Sequence, residues 1–360
     1  MTIPMLNTLH PFIKSLNLKG AYTNSPKPTL SFKDWWSGEY QEQEDKYLND
    51  HFGLRSDLVR LHTQLNYSFF GKLLSRDDIV EGKSGYYFEK GYIDSYLGTK
   101  ANDDSIILKE SLKIAEIHDY FKAINKPFVF VIATGKAWMF PQYIPDDLQK
   151  EKQISDYEKY LYYFDSLDIS YIDFNAYFVA NKGKLPYPTI TKQSTHWSSY
   201  GSALAMDSLV KCLNLQYDFS LFPMKIKCEE SEYYNDHDKE IMDALNLMFP
   251  GKSTEITCHP NFEFDTTSVA LRHSFIFSAD SYFWEPYGQK MFHRLAKSFE
   301  FWYYNNEMWD NQNNYRKLDI EYISSKLDSA DCFVMMSSEI HINSVTESIY
   351  QAVIKKKNSF

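Results

Sequence analysis

The chain has 360 residues, of which 44% are hydrophobic and 17% aromatic, and it carries a formal charge of −10. That is enough apolar material for one large or two modest domains around a substantial core. The acidic balance, with no Lys/Arg run longer than Lys355–Lys357, argues against a phosphate-backbone partner, so nucleic acid is excluded as an expected ligand.

The many aromatics suit a groove that stacks on sugar rings, although an aromatic core explains the same surplus. Cys212, Cys228, Cys258 and Cys332 are scattered without CxxC spacing, so neither a zinc site nor a disulfide framework is signalled; a single bridge between Cys228 and Cys258 stays open. The N-terminal MTIPMLNTLHPFIKSLNLKG contains no apolar run long enough for a signal peptide or membrane span, and none occurs later. Either the protein is cytoplasmic or an export segment lies outside this sequence.

Along the chain, Leu30 to Gly71 reads as two amphipathic helices hinged at Phe52-Gly53, with Leu54, Leu58, Leu61 and Leu65 recurring at intervals of three or four. In DDIVEGKSGYYFEKGYIDSYLG, Gly82, Gly85 and Gly91 punctuate short aromatic and β-branched runs, the pattern of a strand pair with tight turns. A helix follows over Ser105 to Ile124.

Five apolar runs then alternate with helical segments: Pro127 to Thr134, Ile169 to Phe174, Ser274 to Ala279, Ser298 to Tyr304, and Asp331 to Ser338. That order predicts an α/β fold with a central parallel sheet of about five strands flanked by helices on both faces. Between Leu215 and Thr267 the rhythm breaks, with acidic CEESEYYNDHDKE and no clear strand, so an insertion with one helix near Asp238 to Met248 is expected.

In an open parallel sheet, ligands gather at the carboxyl ends of the strands. In FIFSADSYFW a strand ends at Ser278-Ala279, and Asp280 and Ser281 fall on the turn into a segment of helical pattern. A serine there is exposed, with its backbone N–H near a helix terminus, able to support an oxyanion. Serine needs a base, and His196 in TKQSTHWSSYGSA, before a helix from Ser198 to Leu213, is the best candidate among ten histidines. The plainer alternative makes Ser281 a helix cap and packs His196 with Trp197.

These segments resemble the SGNH hydrolase-like domain of the alginate O-acetyltransferase family, which O-acetylates exported polysaccharides in the bacterial envelope. The matching blocks run in order: FGLRSDLVRLHTQLNYSFFG, VEGKSGYYFE, VFVIATGKAWMFPQYIP, THWSSYGSA, FSADSYFW and ADCFVMMSSE. The resemblance implies an SGNH-like three-layer sandwich with permuted motif order, in which the histidine of a D-x-H-W element precedes the serine of G-D-S. It divides the chain into an N-terminal helical lead (1–75) and an SGNH-like domain (76–360) with an insertion at about 215–267. It assigns His196 as base and Ser281 as nucleophile.

Two departures stand out: the family aspartate two residues before the histidine is Ser194, and the glycine of G-D-S is Ala279. Loss of the carboxylate that orients the imidazole can cost about 10⁴ in turnover. Glu339, at the end of the last apolar run, Glu285, one turn from Ser281, and Asp280 are the candidate replacements, with Glu339 preferred and a solvated carboxylate its competing reading. Ala279 adds a methyl group and keeps the backbone N–H.

Lys136 matches a lysine position common in the family, and either meets an anionic substrate or caps the following helix. Trp197 and Tyr282 are placed with it at the substrate. Asn305 and Asn306 either lend an amide to the oxyanion hole or make a turn. No metal or cofactor is expected, since His237 in NDHDKE has no second ligand pair at a zinc or calcium-loop spacing.

The resulting expectation is a serine-dependent O-acetyltransferase or acetylesterase. Its partners are a polysaccharide, an acetyl donor and a membrane-bound protein that delivers acetyl groups, and the resemblance implies the periplasm or the outer face of the inner membrane. The competing expectation is a polysaccharide-binding or assembly subunit whose triad has decayed at Ser194.

Overall fold

The computed structural model describes residues 2–20, 23–74, 78–251, 255–264 and 273–358. Parts of the expected lead segment (1, 21–22 and 75) and of the expected insertion (252–254 and 265–267) lie outside the described residues. Contacts divide the chain into two compact units, Met1–Val80 with Lys239–Lys252, and Glu81–Asp238 with Ser253–Phe360.

The first unit is helical. Helices span Thr2–Leu9, Phe32–Ser37, Glu39–His51 and Arg55–Phe70. The hinge falls at Phe52–Leu54, and Gly53 sits there because a Cβ would overlap the carbonyl oxygen of Pro4 in the first helix. Leu58, Leu61 and Leu65, expected to bury one face, remain exposed. Asn246 ties its segment in by accepting from Lys19 N (2.9 Å) and donating to Lys19 O (2.9 Å).

Eleven strands are described: β1 (Ile79–Glu81), β2 (Tyr87–Glu89), β3 (Phe128–Ala133), β4 (Tyr171–Asp173), β5 (Met224–Ser231), β6 (Thr257–Phe264), β7 (Ser274–Ala279), β8 (Ser298–Tyr303), β9 (Glu307–Asp310), β10 (Tyr315–Lys317) and β11 (Cys332–Ser338). Seven form the central sheet in the order β10-β9-β8-β7-β11-β3-β4. The five strands from β8 to β4 are parallel and correspond to the five apolar runs. β9 and β10 extend one edge antiparallel. They were not expected because both are short and β10 is exposed throughout, so no apolar run marks them.

The region read as strandless carries a second correction. β5 and β6 pair antiparallel over eight residues and are joined by the Cys228–Cys258 disulfide. Met224, Ile226 and Cys228 alternate with Lys225 and Lys227, a period-two signal hidden under the acidic composition. The expected helix is confined to Glu240–Ala244.

Alternation along the central strands feeds two cores. Phe128, Phe130 and Ile132 share a buried cluster with Ile114, Ile117 and Phe121 of helix Asp104–Ala123 and with Val345, Ile349 and Val353 of helix Ile342–Lys357. On the other side, the ring of Phe277 lies 4.3 Å from Phe283 and 4.6 Å from Phe292, centroid to centroid. Phe277→Ala empties the middle of that cluster and is expected to lower unfolding free energy by about 3–5 kcal/mol, read from a denaturant titration; a loss under about 1 kcal/mol would show that the cluster collapses around the gap.

Candidate active site

The carboxyl ends of β3, β7 and β11 lie side by side, so the loops beginning at Thr134, Asp280 and Glu339 converge. Each adds polar groups to an edge whose strands are wholly buried.

The histidine arrives on a loop that is locked before it reaches the site. Ser198 caps helix Ser199–Tyr217 by accepting from Gly201 N (3.0 Å), and its own N–H donates to Thr189 O (2.7 Å). Gly201 is required there, since a Cβ would run into the carbonyl oxygen of Thr189. Thr191 Oγ1 donates to Asp238 O (2.5 Å), and Lys136 Nζ donates to the carbonyls of Lys192 (2.8 Å) and Ser194 (2.6 Å). Tyr282 and Trp197 form the wall behind the ring: Tyr282 stands edge-on to His196 at 4.7 Å, and Trp197 Nε1 donates to Tyr282 O (3.0 Å).

The serine stands on a turn fastened to the neighbouring strand. Asp280 is fully buried; Oδ1 accepts from Tyr282 N (3.0 Å), and Oδ2 accepts from Ser338 N (2.7 Å) and Ser338 Oγ (2.8 Å). Ser281 between these anchors is half-buried, and its Oγ lies 2.7 Å from His196 Nε2. A hydroxyl on an imidazole nitrogen at that distance is the geometry in which the ring can take the hydroxyl proton.

Two of the three candidate acids have other partners, and the third has none. Asp280 spends its oxygens on Tyr282 and Ser338. Glu285 accepts from Ser199 Oγ (2.5 Å) and Gln289 Nε2 (2.9 Å) and pairs with His237 Nδ1 (3.0 Å). Glu339 makes no hydrogen bond with either oxygen. Ser194 does not turn the ring either, because its hydroxyl donates to the backbone carbonyl of His196 (3.0 Å).

The four residues expected at the substrate are all interior. Lys136 is buried and holds the histidine loop through the carbonyls of Lys192 and Ser194. Trp197 and Tyr282 are fully buried, the phenol donating to Thr134 O (2.7 Å). Asn305 is buried, accepting from Ser278 Oγ (2.8 Å) and donating to Val345 O (2.8 Å).

Two residues not foreseen do reach the site. Tyr304 and Asn305 both adopt left-handed backbone conformations, φ 46° and 56°. That turn sends Asn305 inward and sets the Tyr304 phenol against Ser281. Burial, then the charge of Asp280, holds the phenol pKa well up, while the hydroxyl and backbone N–H of Ser281 favour its ionised form. His341 lies edge-on to Tyr304 at 5.6 Å; burial lowers its pKa, Asp280 and Glu89 oppose that, and His196 adds to it. A tyrosine at a strand end and a histidine after another strand carry no local signal, because only the sheet order brings them together.

No family model matches the chain, and no curated protein matches it in sequence. Among solved structures it is similar to the O-acetyltransferase domain of Pseudomonas putida AlgJ, at 14% identity and a TM-score of 0.50, covering 79% of this chain and 100% of that one. The chain has an SGNH-like fold. It is also similar to Pseudomonas aeruginosa AlgX (11% identity, 77% of this chain and 67% of that one, TM-score 0.49) and to Bacillus cereus PatB1 with a sulfonyl adduct (10%, 73% and 97%, 0.46).

Near His196 and Ser281, Glu339 is a strongly perturbed carboxyl group. Burial pushes its pKa up to about 8; its own N–H opposes the shift without meeting hydrogen-bond geometry, and the charges of Asp280 and Asp173 add to it. Its carboxyl group rests on Gly135, where any Cβ would overlap it. Because the folded pKa is raised, the stability drawn from neutral Glu339 is complete below about 4.5 and is lost as pH rises through about 8. Glu339→Gln should therefore match the wild type in acid and exceed it in stability above pH 8, measured by chemical unfolding across that range; parallel pH profiles for the two proteins would refute the raised pKa.

Proposed function

We propose that the chain is a serine-dependent O-acetyltransferase, or acetylesterase, acting on a cell-envelope or exported polysaccharide. The observation that carries this reading is the 2.7 Å contact between His196 Nε2 and Ser281 Oγ at the carboxyl edge of the sheet. The fold shared with an O-acetyltransferase domain supports the choice of acyl group.

In this mechanism Ser281 Oγ attacks the acetyl carbonyl of the donor and its proton passes to His196 Nε2. The tetrahedral adduct collapses, the donor oxygen leaves with that proton, and the acetyl group stays on Ser281. A sugar hydroxyl then attacks, giving its proton to His196, and the Oγ–acetyl bond breaks as Ser281 regains the proton. Water in place of the sugar makes the same chemistry hydrolysis. The Ser281 N–H and the Tyr304 phenol are the donors closest to where negative charge develops on the carbonyl oxygen.

The Cys228–Cys258 bridge favours an oxidising compartment and so the periplasm or the outer face of the inner membrane. No helix among the described residues is long and apolar enough to cross a membrane; a membrane-bound acetyl supplier is part of the proposal as a partner. The rival reading, a binding or assembly subunit, draws its support from Ser194 at the aspartate position.

The deciding experiment measures acetyl release from a chromogenic acetyl ester, with mass spectrometry for an adduct. Wild-type turnover with an acetyl group on Ser281, and a loss of about 10³-fold or more in both Ser281→Ala and His196→Ala, is the expected result. Folded wild type that shows neither turnover nor adduct with several acyl donors would leave the binding subunit as the better reading. Tyr304→Phe is expected to lower kcat by about 10- to 100-fold at little change in KM; an effect confined to KM would place the phenol on the substrate body instead.

A further inference from the structure

The aromatic side chains on one face of β7 to β10 change character from the interior outward. Phe277, Phe299 and Phe301 are buried, whereas Tyr303, Trp309 and the facing Trp284 are half-buried and Tyr315 is 53% exposed. The ladder sets Phe301, Trp309 and Tyr315 side by side on three successive strands, with Tyr303 two residues on along the same face. Ring centroids lie 4.7 Å apart from Tyr304 to Tyr303, 5.4 Å from Tyr303 to Trp284, 4.7 Å from Trp284 to Trp309 and 5.2 Å from Trp309 to Tyr315. The row begins where the Tyr304 phenol meets Ser281 and ends on the edge strand β10. Three strand spacings, about 14 Å, separate its ends.

Rings placed only for stability are sealed, as the three inner phenyl groups are. Where this face opens to solvent, phenol and indole rings replace phenyl, which is the composition of a contact surface with an apolar body and a wet rim. The C–H face of a sugar ring meets the negative face of such a ring while the sugar hydroxyls stay in water. A row of this length that starts at the nucleophile is suited to an extended chain of sugars, whose reacting hydroxyl is then delivered to one end.

Charge narrows the chain further. Burial raises the Tyr303 phenol pKa, a hydrogen bond from the Trp284 indole opposes the shift, and the charges of Asp280 and Glu307 add to it. Asp280 acts on Tyr304 in the same sense, and Asp280 and Glu89 act on His341. Carboxylates therefore dominate the field at the Ser281 end. Farther out, Lys317 stands opposite Glu307 in the ladder and is balanced by it. Lys136, the cation expected to meet an anionic substrate, is buried on the carbonyls of Lys192 and Ser194. A polyuronate would bring a negative charge with every sugar to this edge, whereas a neutral glycan meets no such repulsion.

We propose that the acceptor is a neutral glycan lying across β8, β9 and β10, its sugar rings stacked on Tyr303, Trp309 and Tyr315 and its reacting hydroxyl at Ser281. The delivery of that hydroxyl rests on the acyl-transfer reading; the binding surface does not.

Titration calorimetry of the full chain with cellohexaose, mannohexaose and hexagalacturonate, in the absence of an acyl donor, tests it. At least one neutral hexasaccharide should bind, with an affinity that does not change between low and high salt, and hexagalacturonate should give no heat. Trp309→Ala should weaken binding by about tenfold or more, and Trp309→Phe, which keeps a ring, should recover most of it. Tyr315→Ala, at an exposed side chain on the edge strand, should weaken binding by about threefold to tenfold with no change in melting temperature. No heat from either neutral hexasaccharide at millimolar concentration, tighter binding of hexagalacturonate, or unchanged affinity in Tyr315→Ala would each overturn the proposal. Binding without turnover of the chromogenic ester would count against acyl transfer and leave the surface standing, and turnover without binding would sink this inference alone.

Discussion

A buried carboxylate, Asp280, is the constraint on which the site depends. An ionised carboxyl group removed from water is strongly unfavourable unless donors replace the lost hydration. Here three do: the N–H of Tyr282 and both the N–H and hydroxyl of Ser338. Because Ser338 ends β11 and Asp280 follows β7, satisfying this charge ties two adjacent strands together beyond their last ladder bonds. Ser281 has little freedom between such anchors. Lys136 does the corresponding work on the other half of the site, where a buried ammonium draws two carbonyls of the histidine loop inward. The Ser281 turn is thus organised by an anion and the His196 loop by a cation, and the 2.7 Å contact is where the two halves meet.

Much of this was legible in the sequence for a specific reason. The three inner parallel strands, β3, β7 and β11, are buried on both faces, so each reads as a continuous apolar run, and the polar residues following them mark the edge where chemistry gathers. His196 and Ser281 stood out because they are polar residues at those edges. What failed was direction. Trp197 and Tyr282 adjoin His196 and Ser281 in sequence, yet both side chains turn inward and stand behind the imidazole. Lys136 was misread because a lysine is ordinarily a surface residue, and nothing local announces that two carbonyls wait for it in the interior.

Tyr304 and His341 were illegible for a different reason. Their relation to Ser281 exists only after β8 pairs with β7 and β7 with β11, an adjacency that strand identification does not supply. The left-handed backbone at Tyr304 and Asn305 belongs to the same class. For a tyrosine this conformation is uncommon and unfavourable, and it persists because Asn305 is locked by Ser278 and Val345 on its far side. The strain is held by neighbours distant in sequence, so no turn rule applied to the local string finds it.

The two departures from the family pattern have unequal consequences. Ala279 ends a fully buried strand, where its methyl group is simply another interior atom and its carbonyl accepts the N–H of Tyr304. Ser194 changes chemistry: a carboxylate at that position carries negative charge into the histidine loop, whereas the serine hydroxyl closes a short bond to the backbone of His196. A loop already holding the Lys136 ammonium on its carbonyls gains rigidity from that bond, but the bond does nothing for a ring that becomes positive as it takes a proton. Beside them, burial lowers the pKa of His341, and the charges of Asp280 and Glu89 oppose that shift. A serine at this position therefore contributes placement of the loop, where a carboxylate would contribute charge as well.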